Sequence, residues 1–204
     1  MKRQYQITDT EMPDRQVWSN EFCMWVSVPK NANMRFRAIC NSIGMMKKQD
    51  DFEYPPERFF IIRNPYTRVL SGLGEFKSRN KRPEEFEELL FEFKKDPKMF
   101  DEHLEPQVSF VYDIDYTNIL KFEDLNNQIR TIKYLRKNYI FNEKKNNPYL
   151  KINRDRLSRS RHYKKPLEEI EKIYKNDLDE IINKYYGYDL EIWKNPNKYI
   201  GKKI

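Results

Sequence analysis

Two short apolar runs, each stopped by a basic residue and each followed by helical spacing, constrain this chain more than any other feature. The first is EFCMWVSVP (21–29), aromatic and β-branched, ended by Pro29 and followed by Lys30. The second is RFFII (58–62), with Arg63 next and Pro65 two residues further on. Runs this short and this apolar read as buried strands. NMRFRAICNSIGMM (33–46) follows the first with Phe36, Ile39, Cys40 and Ile43 at helical spacing. Pro65 sits where a second helix would start, because its fixed φ suits the first turn. That helix runs through YTRVLSGLGEF, where Gly72 and Gly74 either weaken it or permit close packing. NILKFEDL (118–125) reads as a third strand entering a helix near Asp124, and LNNQIRTIKYLRKNY continues that helix.

The rest of the chain is mostly helical. PEEFEELLFEFK (83–94) predicts an amphipathic helix opened by proline and glutamates, which suit the positive end of the helix dipole. NEKKNNPYLKINRDRLSRSRHYKK (142–165) is polar, basic and loop-rich, and PLEEIEKIYKNDLDEIINKYYGYDL (166–190) predicts a helix with Pro166 at its start and Gly187 at its end. No internal repeat interrupts the pattern. Strands alternating with helices predict an α/β layer fold with a mainly parallel sheet, in which ligands bind at the carboxyl ends of the strands. The 204 residues suffice for one domain, 1–204, with its core at about 21–190.

Charge narrows the partners. Lysine and arginine number 39 against 32 acidic residues, so the net charge of +7 favours an anionic partner, although lysines spread along the chain also fit plain solvation. Cys23 and Cys40 show neither metal-ligand spacing nor a disulfide framework. No apolar run approaches the ~18 residues of a membrane span. The opening MKRQYQITDTEMPD lacks a signal-peptide core, so the expectation is a soluble, cytoplasmic protein.

If the two basic-ended strands are parallel neighbours, Lys30 and Arg63 emerge on one edge beside two helix N-termini. Unsatisfied backbone N–H groups, the helix dipole and fixed cations together make an anion site. Two separated cations suit a nucleotide with phosphates at both ends; the alternative is a pair of ordinary strand-end charges in water. The P-loop pattern GxxxxGK[ST] is absent, since no glycine precedes Lys30 and Met34 replaces the serine after it. No obvious magnesium-binding carboxylate follows, which disfavours ATP or GTP hydrolysis.

These residues carry a family resemblance. VPKNANMRFR followed by FFIIRNPYTRVLSG resembles the paired 5′-phosphosulfate and 3′-phosphate motifs of the carbohydrate branch of the sulfotransferases. That branch opens its first motif with Val-Pro-Lys and writes its second Arg-x-Pro-x-x-Arg-x-x-Ser, here Arg63, Pro65, Arg68 and Ser71. DEHLEPQ (101–107) resembles its His-x-x-Pro stretch, YTNILKFEDL its following strand and acidic turn, and IYKNDLDEIINKYYGYD its C-terminal helix.

The resemblance implies a three-layer α/β/α, P-loop-like fold that binds 3′-phosphoadenosine 5′-phosphosulfate and needs no metal. Lys30 falls on the lysine that contacts the 5′-phosphosulfate and its bridging oxygen, within a loop of Asn31, Ala32, Asn33, Met34 and Arg35. Arg63 and Ser71 fall on the residues that hold the 3′-phosphate. Arg68 is either a ligand contact or a salt bridge on the helix surface. Arg161 and Tyr163, in the segment that closes over the nucleotide in this family, contact a phosphate or stack on adenine, unless the loop is merely solvated. The acceptor, a hydroxyl of a carbohydrate or similar compound, needs a base. His103 is the first candidate, with Glu102 and Glu105 able to orient it or serve instead.

Two departures stand out. Met34 replaces a threonine or serine that hydrogen-bonds the phosphosulfate, so Asn33 or Arg35 substitutes, or the loop binds through backbone alone. The cysteine pair that often follows His-x-x-Pro is absent, which fits a reducing compartment. Two other classes compete: a nucleotide-binding or scaffold protein that has lost turnover, and a basic nucleic-acid module, which explains the charge but not the ordered motifs.

Overall fold

The computed structural model describes residues 5–9, 15–48, 53–81, 85–138 and 167–204. Their packing forms two units that interleave along the chain. One, the sheet unit, comprises the described residues of 14–63, 110–151 and 191–204; the other, the helical unit, those of 1–13, 64–109 and 152–190.

The sheet unit is built on strands β1 (Val17–Ser19), β2 (Cys23–Val26), β3 (Met46–Lys48), β4 (Glu57–Ile62) and β5 (Asn118–Lys121), in the order β3-β1-β2-β4-β5. β2, β4 and β5 are parallel neighbours, whereas β1 pairs antiparallel with both β2 and β3. The protein is thus α/β, but the sheet is mixed where a mainly parallel one is predicted. The antiparallel half comes from two segments of three residues each, too short to read as strands, VWS and MKK. A side-chain turn creates it: the Asn20 carboxamide oxygen accepts from the amides of Phe22 and Cys23, both at 3.0 Å, and folds β1 back on β2.

The parallel strands read as unbroken apolar runs because both of their faces are buried. On one face Trp25, Phe59, Ile61 and Leu120 pack under Phe36, Ile39 and Cys40 of helix α1 (Asn33–Ser42) and under Leu125, Ile129 and Leu135. On the other, Met24, Val26, Phe60 and Ile62 are equally enclosed. Burial pushes the Cys40 thiol up to about 12, and burial first, then Glu57, pushes Cys23 further. Both cysteines are core hydrophobes here.

After the short helix α4 (Val108–Val111), the helix predicted to continue after β5 is broken into α5 (Leu125–Gln128), a 3₁₀ turn (Ile129–Thr131) and α6 (Lys133–Asn138). The cause is Glu57, whose carboxylate accepts from the amides of Lys133 at 2.9 Å and Tyr134 at 2.7 Å. It restarts the helix by satisfying its free N–H groups.

The helical unit packs α2 (Pro65–Arg79), α3 (Phe86–Lys95), α7 (Leu167–Ile173) and α8 (Lys175–Tyr185) around Leu70, Leu73, Phe93, Phe100 and Leu178. Asn64 caps α2 by accepting from the Tyr66 amide at 2.9 Å, with Pro65 in the first turn as expected. A Glu85–Glu88 capping box starts α3; Pro83, the predicted opener, lies outside the described residues, as does Pro166.

The predicted helix 166–190 is interrupted at Tyr174 and Tyr186, and Gly187 opens the next helix, α9 (Gly187–Lys194), instead of ending the previous one. Tyr186 is buried and its hydroxyl donates to the Leu104 carbonyl, while Asp189 takes the amides of Gln107 at 2.6 Å and Val108 at 3.0 Å. Those tertiary bonds hold the chain where continuous helical geometry would pull it away. Among the described residues no helix is long and apolar enough to cross a membrane.

Candidate functional site

The parallel strands bring three residues to one edge of the sheet unit. Val26 is in register with Phe60, and Ile62 with Lys121, so the chain leaves the carboxyl ends of β2, β4 and β5 side by side. The residues just beyond are the Lys30 loop, Arg63 and Phe122. The Arg63 side chain is drawn in rather than extended into water, with the residue only 7% exposed. Its Nη1 donates to the Lys30 carbonyl at 3.2 Å, and its guanidinium carbon lies 4.7 Å from the Phe122 ring centroid. Lys30 and Arg63, predicted to share an edge, are therefore in direct contact.

The Lys30 loop has an unusual backbone. Lys30 (φ 69°) and Ala32 (φ 63°) both occupy the left-handed region, which non-glycine residues seldom adopt. Two tethers hold them there: the Asn31 amide donates to the Val28 carbonyl at 3.2 Å, and the Asn31 Nδ2 donates to the Ile61 carbonyl of β4 at 2.6 Å. Asn31, expected to line a ligand, is instead 1% exposed and ties the loop to the sheet. Left-handed residues ahead of a helix are ingredients of the backbone nests that hold anions.

Ala32 occupies the N-cap of α1 and supplies no side-chain bond, and the first turn of α1 contains no acidic residue. The positive end of this helix is thus left without the usual side-chain acceptor. Asn33 places its side-chain oxygen in a buried position with no hydrogen-bond partner. Met34 is 73% exposed, and Arg35 donates to Asn126 Oδ1 at 3.0 Å. The residues present suit a phosphate or sulfate: an ammonium, a guanidinium and an uncapped helix start, with no carboxylate in the loop itself.

Ser71 and His103 belong to the helical unit. Ser71 is buried at 7% exposure on α2, one residue before Gly72, which packs on the His103 carbonyl and the Leu104 side chain. A Cβ at Gly72 would lie 2.8 Å from Leu104 Cδ2 and 2.9 Å from the His103 carbonyl oxygen. Gly72 therefore serves close approach. Gly72→Ala is expected to lower stability by about 1–3 kcal/mol, read as a shift in urea midpoint at unchanged slope.

His103 Nδ1 lies 3.0 Å from Asp101 Oδ1 and 3.6 Å from Glu102 Oε1. Partial burial works against the Asp101 charge, but bonds from the His103 ring and backbone prevail and hold its carboxyl below the ordinary range. Asp101, Glu102 and His103 offer ligand atoms within 4.8 Å of one another, enough to hold a divalent ion if one were supplied. Asp101 as the orienting partner escaped the sequence reading, which considered only Glu102 and Glu105.

Two expectations need correction. Glu105 cannot serve as a base: it is fully buried and accepts from the amides of Ile7 at 2.9 Å and Thr8 at 2.6 Å and from the Thr8 hydroxyl at 2.5 Å. Arg68 is not on the helix surface either, being 0% exposed in the electrostatic company of Asp189, Tyr186 and Glu105. Burial pushes the Asp189 carboxyl upward against the pull of Arg68 and two backbone amides. Arg161 and Tyr163 lie outside the described residues.

A cleft of about 720 Å³ runs along the outer side of β5, lined by Asn118, Lys121, Gln128, Lys194 and Lys198 among others. None of the predicted site residues among those described lines it. Phe122 was missed because an aromatic residue after a strand looks like packing; only its register with Arg63 marks it. No protein-family model, no curated protein and no solved structure matches the chain.

Proposed function

We propose that this protein binds 3′-phosphoadenosine 5′-phosphosulfate and transfers its sulfuryl group to a hydroxyl of a carbohydrate or similar acceptor, on a P-loop-like α/β fold. One observation carries the reading: Lys30 and Arg63 are brought into contact at the carboxyl edge of parallel strands, ahead of an uncapped helix. Ligands of open α/β sheets bind at this edge.

The 5′-phosphosulfate supplies the labile bond. Sulfur gains a bond to the acceptor oxygen and loses its bond to the phosphate bridging oxygen, and the bisphosphate departs with the electron pair. Lys30 holds a positive charge where that bridging oxygen becomes negative, and the first amides of α1 add partial charge of the same sign. The loop backbone that carries Lys30 and leads into α1 is tethered to β4 through Asn31, which limits the reorganisation the step requires. Arg63 meets the phosphate at the ribose end, where the resemblance adds Ser71 as a further contact. The resemblance assigns the acceptor proton to His103, whose Nδ1 is engaged by Asp101, leaving Nε2 as its free ring nitrogen for a base. A sulfuryl group carries less charge than a phosphoryl group, so the chemistry asks less of a metal.

The exposed Met34 favours a second reading. No hydroxyl side chain stands at that position, and binding of the nucleotide without transfer would identify a scaffold. Calorimetry with 3′,5′-adenosine bisphosphate separates both readings from a basic nucleic-acid module. Absence of binding by folded protein would overturn both. Labelled sulfate transfer to a panel of glycans and phenols then separates enzyme from scaffold.

A further inference from the structure

We infer that Phe122 is a positioning residue for Arg63, holding the guanidinium in the plane in which it meets the ribose-end phosphate. This rests on the nucleotide reading above. The placement follows from the sheet: Ile62 and Lys121 are register partners on parallel strands, so the next residue of each strand, Arg63 and Phe122, leaves the same edge together. The 4.7 Å from guanidinium carbon to ring centroid is within cation–π range.

A guanidinium is a flat fork of donors whose usefulness for a phosphate depends on its orientation. Here the guanidinium carbon lies over the Phe122 ring, and the 3.2 Å bond from Nη1 to the Lys30 carbonyl ties one arm of the fork. Phe122 is itself held, half-buried against the hydrophobic core of the sheet unit. The same arginine thereby connects β4, the turn after β5 and the left-handed Lys30 loop. An arginine on a long flexible stem would otherwise lose this orientation between encounters with the ligand.

The competing role for Phe122 is core packing alone, and a double-mutant cycle separates the two. Phe122→Leu keeps apolar bulk and removes the aromatic face, Phe122→Tyr keeps the face, and Phe122→Met is a second apolar variant should the leucine protein fold poorly. Each is made with Arg63 present and with Arg63→Ala, and 3′,5′-adenosine bisphosphate is titrated by calorimetry into protein shown to be folded.

With Arg63 present, Phe122→Leu or Phe122→Met is expected to weaken binding about 2- to 30-fold, the range of a cation–π contact. Phe122→Tyr is expected to restore it, and in the Arg63→Ala background the Phe122 substitutions are expected to have no further effect. Equal losses with and without Arg63, or a tyrosine variant as weak as leucine, would overturn the positioning role while leaving the nucleotide reading intact. Failure of the unsubstituted protein to bind the bisphosphate would overturn the nucleotide reading, and this inference with it.

Discussion

Lys30→Ala is expected to slow sulfuryl transfer by about 10²–10³-fold, the usual effect of deleting one fixed donor at an atom that becomes negative in the transition state. The loss should fall mainly on kcat. In the proposed reaction Lys30 matches charge that develops on the bridging oxygen, and a ground-state bisphosphate would still meet Arg63 and the start of α1. Backbone effects should be small, because alanine already occupies the same left-handed region two residues later, at Ala32. Labelled-sulfate kinetics beside calorimetry with the bisphosphate make the comparison. Transfer at the unsubstituted rate would exclude this role for Lys30. A collapse of binding with kcat unchanged would reassign it to ground-state recognition.

The second large effect concerns stability. Arg68→Ala is expected to cost about 3–5 kcal/mol, because it removes one member of a charge group sealed from water and leaves the others without compensation. Arg68, Glu105 and Asp189 are each 0% exposed, so solvent cannot substitute. Urea unfolding at neutral pH measures the loss, and a change below about 1 kcal/mol would show that Arg68 is not the counter-charge.

The pH dependence has a definite sign. Burial raises the Asp189 carboxyl and Arg68 opposes that rise, so without Arg68 the folded-state value climbs further above the unfolded 3.8. The folded variant then binds more protons than its unfolded chain, and its deficit should shrink as pH falls toward that window. A deficit independent of pH between neutrality and the acid range would argue that lost packing, not lost charge, is the cause.

Much of this architecture is legible in the chain itself, and the failures have physical causes. The three parallel strands announce themselves because burial on both faces demands continuous apolar residues, as in CMWV and ERFFII. Pro65 and the alternation after it place α2 with little ambiguity. β1 and β3 stay hidden since a three-residue strand has no room for periodicity, and their pairing depends on the Asn20 turn. The breaks at Ile129–Thr131 and Tyr186 are equally silent, because Glu57 imposes the first and the Leu104–Val108 stretch, which engages Tyr186 and Asp189, the second, each from far along the chain.

The candidate site divides along the same line. Lys30 and Arg63 stand out in sequence because a charge directly after a buried strand must emerge at the sheet edge, where ligands bind. Side-chain direction is another matter. Arg68 and Ser71 are three residues apart in one motif, and only the packing of the helical unit shows Arg68 fully enclosed. Glu102 and Glu105 flank His103 on either side in sequence, yet Glu105 is captured by Ile7 and Thr8 while Asp101 takes the imidazole.

The sequence by itself determined which segments are strands buried on both faces and where charge follows them, and hence that Lys30 and Arg63 gather at their carboxyl ends. Those properties depend on local composition and on burial, which apolar runs report directly. Tertiary structure alone decided that the sheet is mixed, that Arg63 reaches the Lys30 carbonyl and the Phe122 ring, and that Asn31 ties the loop instead of facing a ligand. Each of these depends on register between strands distant in the chain. Register is set by the sum of many pairings, and no single stretch of residues encodes it.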